Sequence, residues 1–322
     1  MSDINKIQRC LVTGAGGFLG KYLLALLQQQ KIFTRALVRD AQNSDLPCHQ
    51  TVVGELSPIV RCEPWLEGID TVFYLAGTAH LSAAPEQYEA DYLAVINMAR
   101  QAVAMGVQRF VFVSTTKAAA DAGEKVCDES WDAWPTDAYG YWKRKIEIAL
   151  HDIGIPHLVV VRPCLIYGAG VKGNLRKMIQ GVERGYFPPL RNVNAQRSMV
   201  FAGDVASAIW LVAIHNDANR QIFIVADDEL YTASNLYAGI REALGKLPVK
   251  WGVPLFLLKA AGVFGDAVKT VGIELTINRG VVKRLTEPAI YSAGKLKLLG
   301  WTPTTTFFCE LPKIISAMRH HE

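Results

Sequence analysis

The 322-residue sequence has no paired cysteine motif, no long uninterrupted apolar run and little excess of either charge, and each shortage excludes a class of protein. Its six cysteines, Cys10, Cys48, Cys62, Cys127, Cys164 and Cys309, lie far apart, with no C-x-x-C pair and no cysteine/histidine cluster at zinc-ligand spacing. A disulfide framework and a metal site are therefore not expected, and the thiols read as buried or incidental in a reducing compartment. The most apolar stretch, Val253 to Ile273, is interrupted by Lys259, Asp266 and Lys269, so no membrane span is expected; it reads as an amphipathic helix on the core or on an oligomer face. Met1 to Gln8 is polar and runs straight into a strand-like Cys10-Leu11-Val12, so no export signal is expected and a cytoplasmic location follows. A net charge of +4 is small for this length. No Lys/Arg run carries the interleaved aromatics of a nucleic-acid groove; the densest cluster, Lys143-Arg144-Lys145, reads as a helix face. Internal repeats and low-complexity tracts are absent too.

What is present is a large apolar fraction, 50%, enough to bury a sizeable core. From Arg9 to Pro163 short β-branched runs alternate with helical patterns, the mark of βαβ units and a parallel sheet buried on both faces. Expected strands are Cys10-Val12, Thr34-Val38, Thr51-Val53, Thr71-Tyr74, Phe110-Val113 and Leu158-Val161, with helices at Tyr22-Gln29, Glu86-Ala104 and Tyr141-Ile153; further on, Gln221-Val225 is strand-like and is expected to rejoin them. The fold class is α/β: a Rossmann doubly wound parallel sheet with a smaller C-terminal α/β substrate domain. Residues 1–167 are expected to form the dinucleotide-binding domain, rejoined by 199–226, and residues 168–322 the substrate-binding region. The stretch Gly168 to Arg197, rich in Gly, Pro and Asn, reads as loose.

Gly14, Gly17 and Gly20 recur every third residue between the strand ending at Val12 and a helix beginning near Phe18. That placement gives a tight turn, close approach of backbone to a pyrophosphate, and a helix N-terminus whose open N–H groups favour the anion. The loop residues Gly14, Gly17, Phe18, Leu19 and Gly20 are expected to hold a nicotinamide dinucleotide. At the end of the second strand an acidic residue would take a ribose hydroxyl and an arginine a 2'-phosphate; Arg39 then Asp40 offer both, leaving NAD or NADP open.

Tyr139 and Lys143 are four apart on one helix and share a face. A cation beside a phenol favours phenolate, which suits acid/base work. Hydroxyls follow the fifth strand in Val113-Ser114-Thr115-Thr116, at the carboxyl edge where open α/β sheets bind ligands; one of them would hold a reacting sugar hydroxyl for the tyrosine.

Together these residues resemble the extended short-chain dehydrogenase/reductases, specifically the NAD-dependent epimerase/dehydratase family of nucleotide-sugar enzymes. The resemblance spans nearly the whole chain. It includes the T-G-x-x-G-x-x-G loop, Asp70-Thr71-Val72-Phe73-Tyr74-Leu75-Ala76-Gly77, Tyr139-Gly140-Tyr141-Trp142-Lys143 followed by Glu147, and Val161-Arg162-Pro163-Cys164-Leu165-Ile166-Tyr167-Gly168. Arg197-Ser198-Met199-Val200-Phe201-Ala202-Gly203-Asp204 and Leu299-Gly300-Trp301-Thr302-Pro303 match later landmarks. It implies Thr115, or Thr116 if the register is shifted by one, as the catalytic hydroxyl, Tyr139 as acid/base and Lys143 as its tuner and a ligand of the nicotinamide ribose. Leu75, Ala76, Gly77 and Pro163 would border the dinucleotide. Thr116, Asn174 and Arg197 would face the substrate, the last two on the diphosphate, where an arginine fork suits phosphate oxygens.

The sequence departs from the family pattern at three places: Tyr74 for a histidine, Glu55 for an aspartate and Asp91 for an asparagine. Thr115-Thr116-Lys117 lacks the acidic pair of the family's 4,6-dehydratases, which disfavours dehydration. The leading expectation is a C4 epimerase of a UDP-hexose or UDP-N-acetylhexosamine working through a transient 4-keto sugar. The alternative is an NADPH-dependent 4-keto-sugar reductase, favoured by Arg39. A non-catalytic dinucleotide sensor stands third, because the Tyr139/Lys143 pair is intact. The resemblance also implies a homodimer, through the helices Glu86-Ala104 and Tyr141-Ile153.

Overall fold

The computed structural model describes residues 7–40, 45–78, 83–120, 123–190, 193–269 and 279–319. In chain order the first half is β1 (Arg9–Thr13), α1 (Phe18–Gln29), β2 (Phe33–Val38), β3 (Gln50–Val53), α2 (Glu63–Leu66), β4 (Thr71–Tyr74), α3 (Pro85–Ala104), β5 (Arg109–Val113), β6 (Val126–Cys127), α4 (Ala138–His151) and β7 (His157–Pro163). The second half continues with β8 (Leu165–Tyr167), α5 (Gly173–Arg184), β9 (Gln196–Phe201), α6 (Ala202–Ile214), β10 (Gln221–Val225), β11 (Leu230–Thr232) and α7 (Ala233–Ala243). It ends with α8 (Leu255–Lys269), α9 (Arg279–Thr286), β12 (Ile290–Tyr291), α10 (Gly294–Leu298) and α11 (Phe307–Arg319).

Seven strands form one sheet in the order β10-β7-β5-β4-β1-β2-β3, every neighbouring pair parallel. The six expected strands are all in it, and β10 closes the far edge beside β7. Alternate residues of the strands face opposite sides, as a pleated strand requires. Cys10, Val12, Phe73, Val111, Val159 and Val161 pack with α1 and α6 on one face. Leu11, Val72, Phe110, Phe112, Leu158 and Val160 pack with α3 and α4 on the other. Burial on both faces explains why these strands read as continuous apolar runs.

The chain leaves β1 toward β2 and β3, then crosses back to β4 on the other side of β1. Strand order reverses there, and the carboxyl ends of β1 and β4 frame a crevice, the usual ligand position in such sheets. Since all seven strands are parallel, the ends of β5 and β7 open on the same edge.

A third apolar cluster gathers α5, α7 and α11 around Tyr167, Tyr231 and Phe307, beside two small sheets, β11-β9-β8 and β12-β6. One expectation is corrected here. The stretch from Gly168 to Arg197 is not uniformly loose: Leu175, Met178, Ile179 and Val182, spaced i, i+3, i+4, i+7, bury one face of α5. Within Val253 to Ile273, the helix expected on the core is α8, which meets it through Leu258, while Gly262 packs against Val282 of α9; residues 270–273 lie outside the described ones. Helix α1 starts at Phe18, as its place after the glycine loop implies, and α4 starts at Ala138, one residue before Tyr139 and directly after its cap, Asp137.

Candidate active site

The glycine loop follows β1 as expected. Gly14 has φ +67, the left-handed conformation that a side chain rarely adopts, and a Cβ there would come within 2.9 Å of the Ala76 amide nitrogen. That close approach brings the loop against the segment after β4. Thr13 fixes the same junction, its Oγ1 accepting from the Leu75 and Ala76 amides at 3.1 and 3.2 Å. Gly17 is the N-cap of α1 and supplies no side-chain cap, so the amides of the first turn around Phe18, Leu19 and Gly20 stay open toward the crevice. Open amides and the positive end of a helix dipole at the β1/β4 crevice fit a dinucleotide pyrophosphate. Arg39 is exposed just beyond β2, and Pro163 ends β7.

The hydroxyl, phenol and ammonium come from β5 and α4. Asp137 caps α4 by accepting from the Gly140 amide at 2.8 Å. Gly140 is required by packing: a Cβ there would lie 2.1 Å from the Lys117 carbonyl oxygen, so only glycine lets the first turn of α4 press on the turn after β5. That contact sets Tyr139 beside Thr115, close enough for the Thr115 hydroxyl to act on the charge state of the phenol. Thr115 caps the short 3-10 turn Thr116–Ala118 by accepting from the Lys117 amide at 3.2 Å, while Thr116 is buried within the turn. One helical turn beyond Tyr139, Lys143 Nζ donates to the Val113 carbonyl at 3.5 Å and lies 4.9 Å from the centre of the Phe112 ring. The cleft over this pair is lined by Thr78, Tyr88, Asp91, Trp142 and Ile146.

Electrostatics here run against the expectation that Lys143 lowers the Tyr139 pKa. Burial pushes the Tyr139 phenol up to about 12, the Thr115 hydrogen bond opposing it, and burial pulls Lys143 down to about 8 against the pull of Asp91 and Glu147. Desolvation penalises both charged forms, and the negative charges of Asp137 and Asp91 raise the phenol further. Tyr139 is thus a phenol in the neutral range.

The structure also shows a layer beneath this pair that sequence reasoning did not assign. Ser114 donates to Glu147 Oε1 at 2.5 Å, and Arg162 on β7 clamps the same carboxylate, Nε to Oε1 at 3.0 Å and Nη2 to Oε2 at 2.5 Å. All three are buried. A charge at the carboxyl end of the apolar β7 run, buried with it, was the available signal. Glu147 lies on the Tyr139/Lys143 face of α4, so the network fastens that face to β5 and β7. Asp91 accepts from the Thr78 amide at 2.5 Å and holds the segment after Gly77 near Lys143. Glu55 is exposed after β3, and Tyr74 is buried and stacks on Phe110.

Asn174 and Arg197 are not part of the Thr115–Tyr139–Lys143 cluster. Asn174 is exposed in the first turn of α5, and Arg197 on β9 donates to the Glu287 carbonyl at 3.3 Å. Nearby, Asp227 Oδ2 accepts from the Tyr167 and Tyr231 hydroxyls at 2.8 and 3.0 Å, while its buried Oδ1 has no hydrogen-bond partner among the described residues. Burial raises that carboxyl to about 7. No group of His, Cys, Asp or Glu able to hold a metal occurs among the described residues.

A doubly wound sheet with an open helix N-terminus at its switch point and a hydroxyl–phenol–lysine set on the same edge defines a nicotinamide-dependent oxidoreductase of the extended short-chain type. The chain belongs to the NAD dependent epimerase/dehydratase family, whose model matches residues 10–226. It is 27% identical over 311 residues to a UDP-glucose 4-epimerase of Vibrio cholerae, covering 92% of this chain and 91% of that one. It is 22% identical over 304 residues to N-acetyl-alpha-D-glucosaminyl-diphospho-ditrans,octacis-undecaprenol 4-epimerase of Escherichia coli O157:H7, with 92% and 91% covered. The fold matches the crystal structure of UDP-glucose 4-epimerase from Thermotoga maritima with UDP-glucose at a TM-score of 0.77 and 18% identity, covering 98% of this chain and 99% of that one. The protein is an NAD(P)-dependent enzyme of this family.

Proposed function

We propose that the chain is a C4 epimerase of a diphosphate-linked sugar, a UDP-hexose or UDP-N-acetylhexosamine. The observation that carries this reading is the Tyr139 phenol beside Thr115, with Lys143 one turn along α4, on the edge where the glycine loop opens. The two curated relatives named above share the 4-epimerase description and a sugar diphosphate.

In this reading Gly14, Gly17, Phe18, Leu19, Gly20, Leu75, Ala76, Gly77 and Pro163 line the dinucleotide, and Lys143 binds its ribose. The nicotinamide supplies the hydride acceptor and donor for sugar C4 and, when oxidised, a positive ring charge. Thr115 holds the 4-hydroxyl, with Thr116 beside it. Tyr139, as phenolate, removes the O4 proton while C4 loses hydride; the 4-keto sugar turns over, and Tyr139 returns the proton as hydride comes back on the other face. Lys143 is the chain's own cation for that phenolate, and its ammonium is needed through the cycle. Asn174 and Arg197 take the diphosphate, which requires Arg197 to exchange its bond to the Glu287 carbonyl for phosphate oxygens.

A second reading, reduction of a nucleotide 4-keto sugar, is favoured by two observations. Arg39 stands exposed where a 2'-phosphate would sit, and the Tyr139 phenol is already the acid that a keto oxygen needs. We place the enzyme in the cytoplasm, as a homodimer through α3 and α4.

Incubation of the purified protein with UDP-sugars and nucleotide 4-keto sugars, with and without NADPH, separates the readings. An epimerase retains its cofactor through purification and equilibrates a UDP-sugar pair with none added. Stoichiometric NADPH consumption on a keto sugar, with no epimer formed, overturns the first reading in favour of the second.

A further inference from the structure

Helix α8 presents an apolar face to solvent. Phe256, Ala260, Val263 and Phe264 are spaced i, i+4, i+7, i+8, which places them on one side of the helix. All four are exposed, Phe256 at 69% and Phe264 at 64%. The opposite side holds the helix down, through Leu258 in the third cluster and Gly262 against Val282 of α9. The exposure continues into the preceding segment, where Leu247 is 82% and Trp251 65% exposed.

The same stretch of chain is the basic one. From Gly245 to Thr286 the sequence has seven Lys and Arg against two Asp and Glu, a net charge of +5 in a chain whose total is +4. The other residues taken together are almost neutral.

We propose that this face of α8, with the segment around Trp251, docks on the surface of an anionic lipid bilayer. Aromatic and aliphatic side chains on one face, set among lysine and arginine, are the composition of a helix that lies in the headgroup layer rather than crossing it. No helix among the described residues is long and apolar enough to span. Lys259 is exposed on α8 beside this face, whereas Lys246 donates to the Val182 and Glu183 carbonyls and Lys283 pairs with Glu287; a second copy of this chain is the poorer occupant, because it brings a stretch of the same positive sign. Leu258 shares its cluster with Leu175, next to Asn174, and with Met199, two residues from Arg197. Docking therefore brings the part of the fold that carries both proposed diphosphate residues to the bilayer. On the sugar-diphosphate reading above, that is where a substrate linked to a membrane lipid is presented.

The test uses the full chain without substrate, so its outcome is independent of which sugar the site takes. The protein is sedimented with vesicles of phosphatidylcholine alone or with about a third phosphatidylglycerol. Co-sedimentation is expected with the anionic vesicles, weakening as salt is added, and about tenfold less with neutral ones. Phe256→Glu with Phe264→Glu reduces binding about tenfold or more, and Lys259→Glu by a smaller factor, with circular dichroism and thermal unfolding unchanged. The proposal is overturned if neither vesicle is bound, or if the double variant sediments like the parent. It is also overturned if ultracentrifugation shows a solution dimer that the double variant dissociates while vesicle binding is absent.

Discussion

Around Tyr139 each polar group is held by another, whereas around Asn174 and Arg197 the groups are exposed or engaged elsewhere. On the first side, Asp137 caps α4, Gly140 seats it on the turn after β5, and the buried Ser114–Glu147–Arg162 network ties α4 to β5 and β7. On the second, Asn174 is exposed and Arg197 is spent on a backbone carbonyl. On the function proposed above, the contrast matches the work assigned to each side. Proton exchange tolerates little displacement, so its groups are preorganised; a diphosphate carries enough charge to reorganise an arginine on arrival.

The largest effect that would test the contrast is loss of the phenol. Tyr139→Phe should lower kcat about 10³-fold, about 4 kcal/mol, with dinucleotide affinity unchanged; retained turnover would remove Tyr139 from the chemistry. Glu147→Gln should cost about 3 kcal/mol in urea unfolding, because it leaves Arg162 charged, buried and unpaired. A loss no larger than that of a surface change would mean the network braces nothing.

Asp227→Asn tests the seam between the two sides. The Asp227 carboxyl is raised from 3.8 to about 7 in the folded chain, so its stabilising protonated form is complete below 3.8 and is lost as pH rises through about 7. The amide keeps the neutral state, so the variant should match the parent in acid and exceed it above neutrality by about 1–2 kcal/mol. An equal difference at every pH would contradict the burial argument. On the substrate side, Arg197→Ala should raise KM about tenfold with kcat nearly unchanged, the sign of binding energy shared by ground and transition states. The smallest effect is expected at Asp91. Lys143, lowered to about 8, loses its ammonium above that pH, and Asp91 supports the charge. Asp91→Asn should therefore move the alkaline limb of kcat/KM to lower pH by about half a unit.

The braced side was also the legible side. Gly14, Gly17 and Gly20, the Tyr139/Lys143 spacing and the strands of the large sheet each follow from a local rule: a turn, a helical period, a buried β run. What spacing does not carry is burial, and burial decides the charge state of Tyr139 and Lys143. Arg162 and Glu147 are 15 residues apart on different elements, so their pairing depends on β7 entering the sheet beside β5. The helix α5 was hidden by the glycines and prolines around it, although its Leu175–Val182 period was present. The exposed face of α8 has the same period as a buried one, so only the three-dimensional structure separates them.

The central claim is that Tyr139, Thr115 and Lys143 move a proton at a sugar hydroxyl in step with hydride transfer. The most direct measurement is rapid mixing of the cofactor-bound protein with a UDP-sugar while following the near-ultraviolet absorbance of reduced nicotinamide. The account predicts a transient rise in the parent protein, decaying as epimer forms, and no rise in Tyr139→Phe. A rise of equal rate and size in Tyr139→Phe would contradict it.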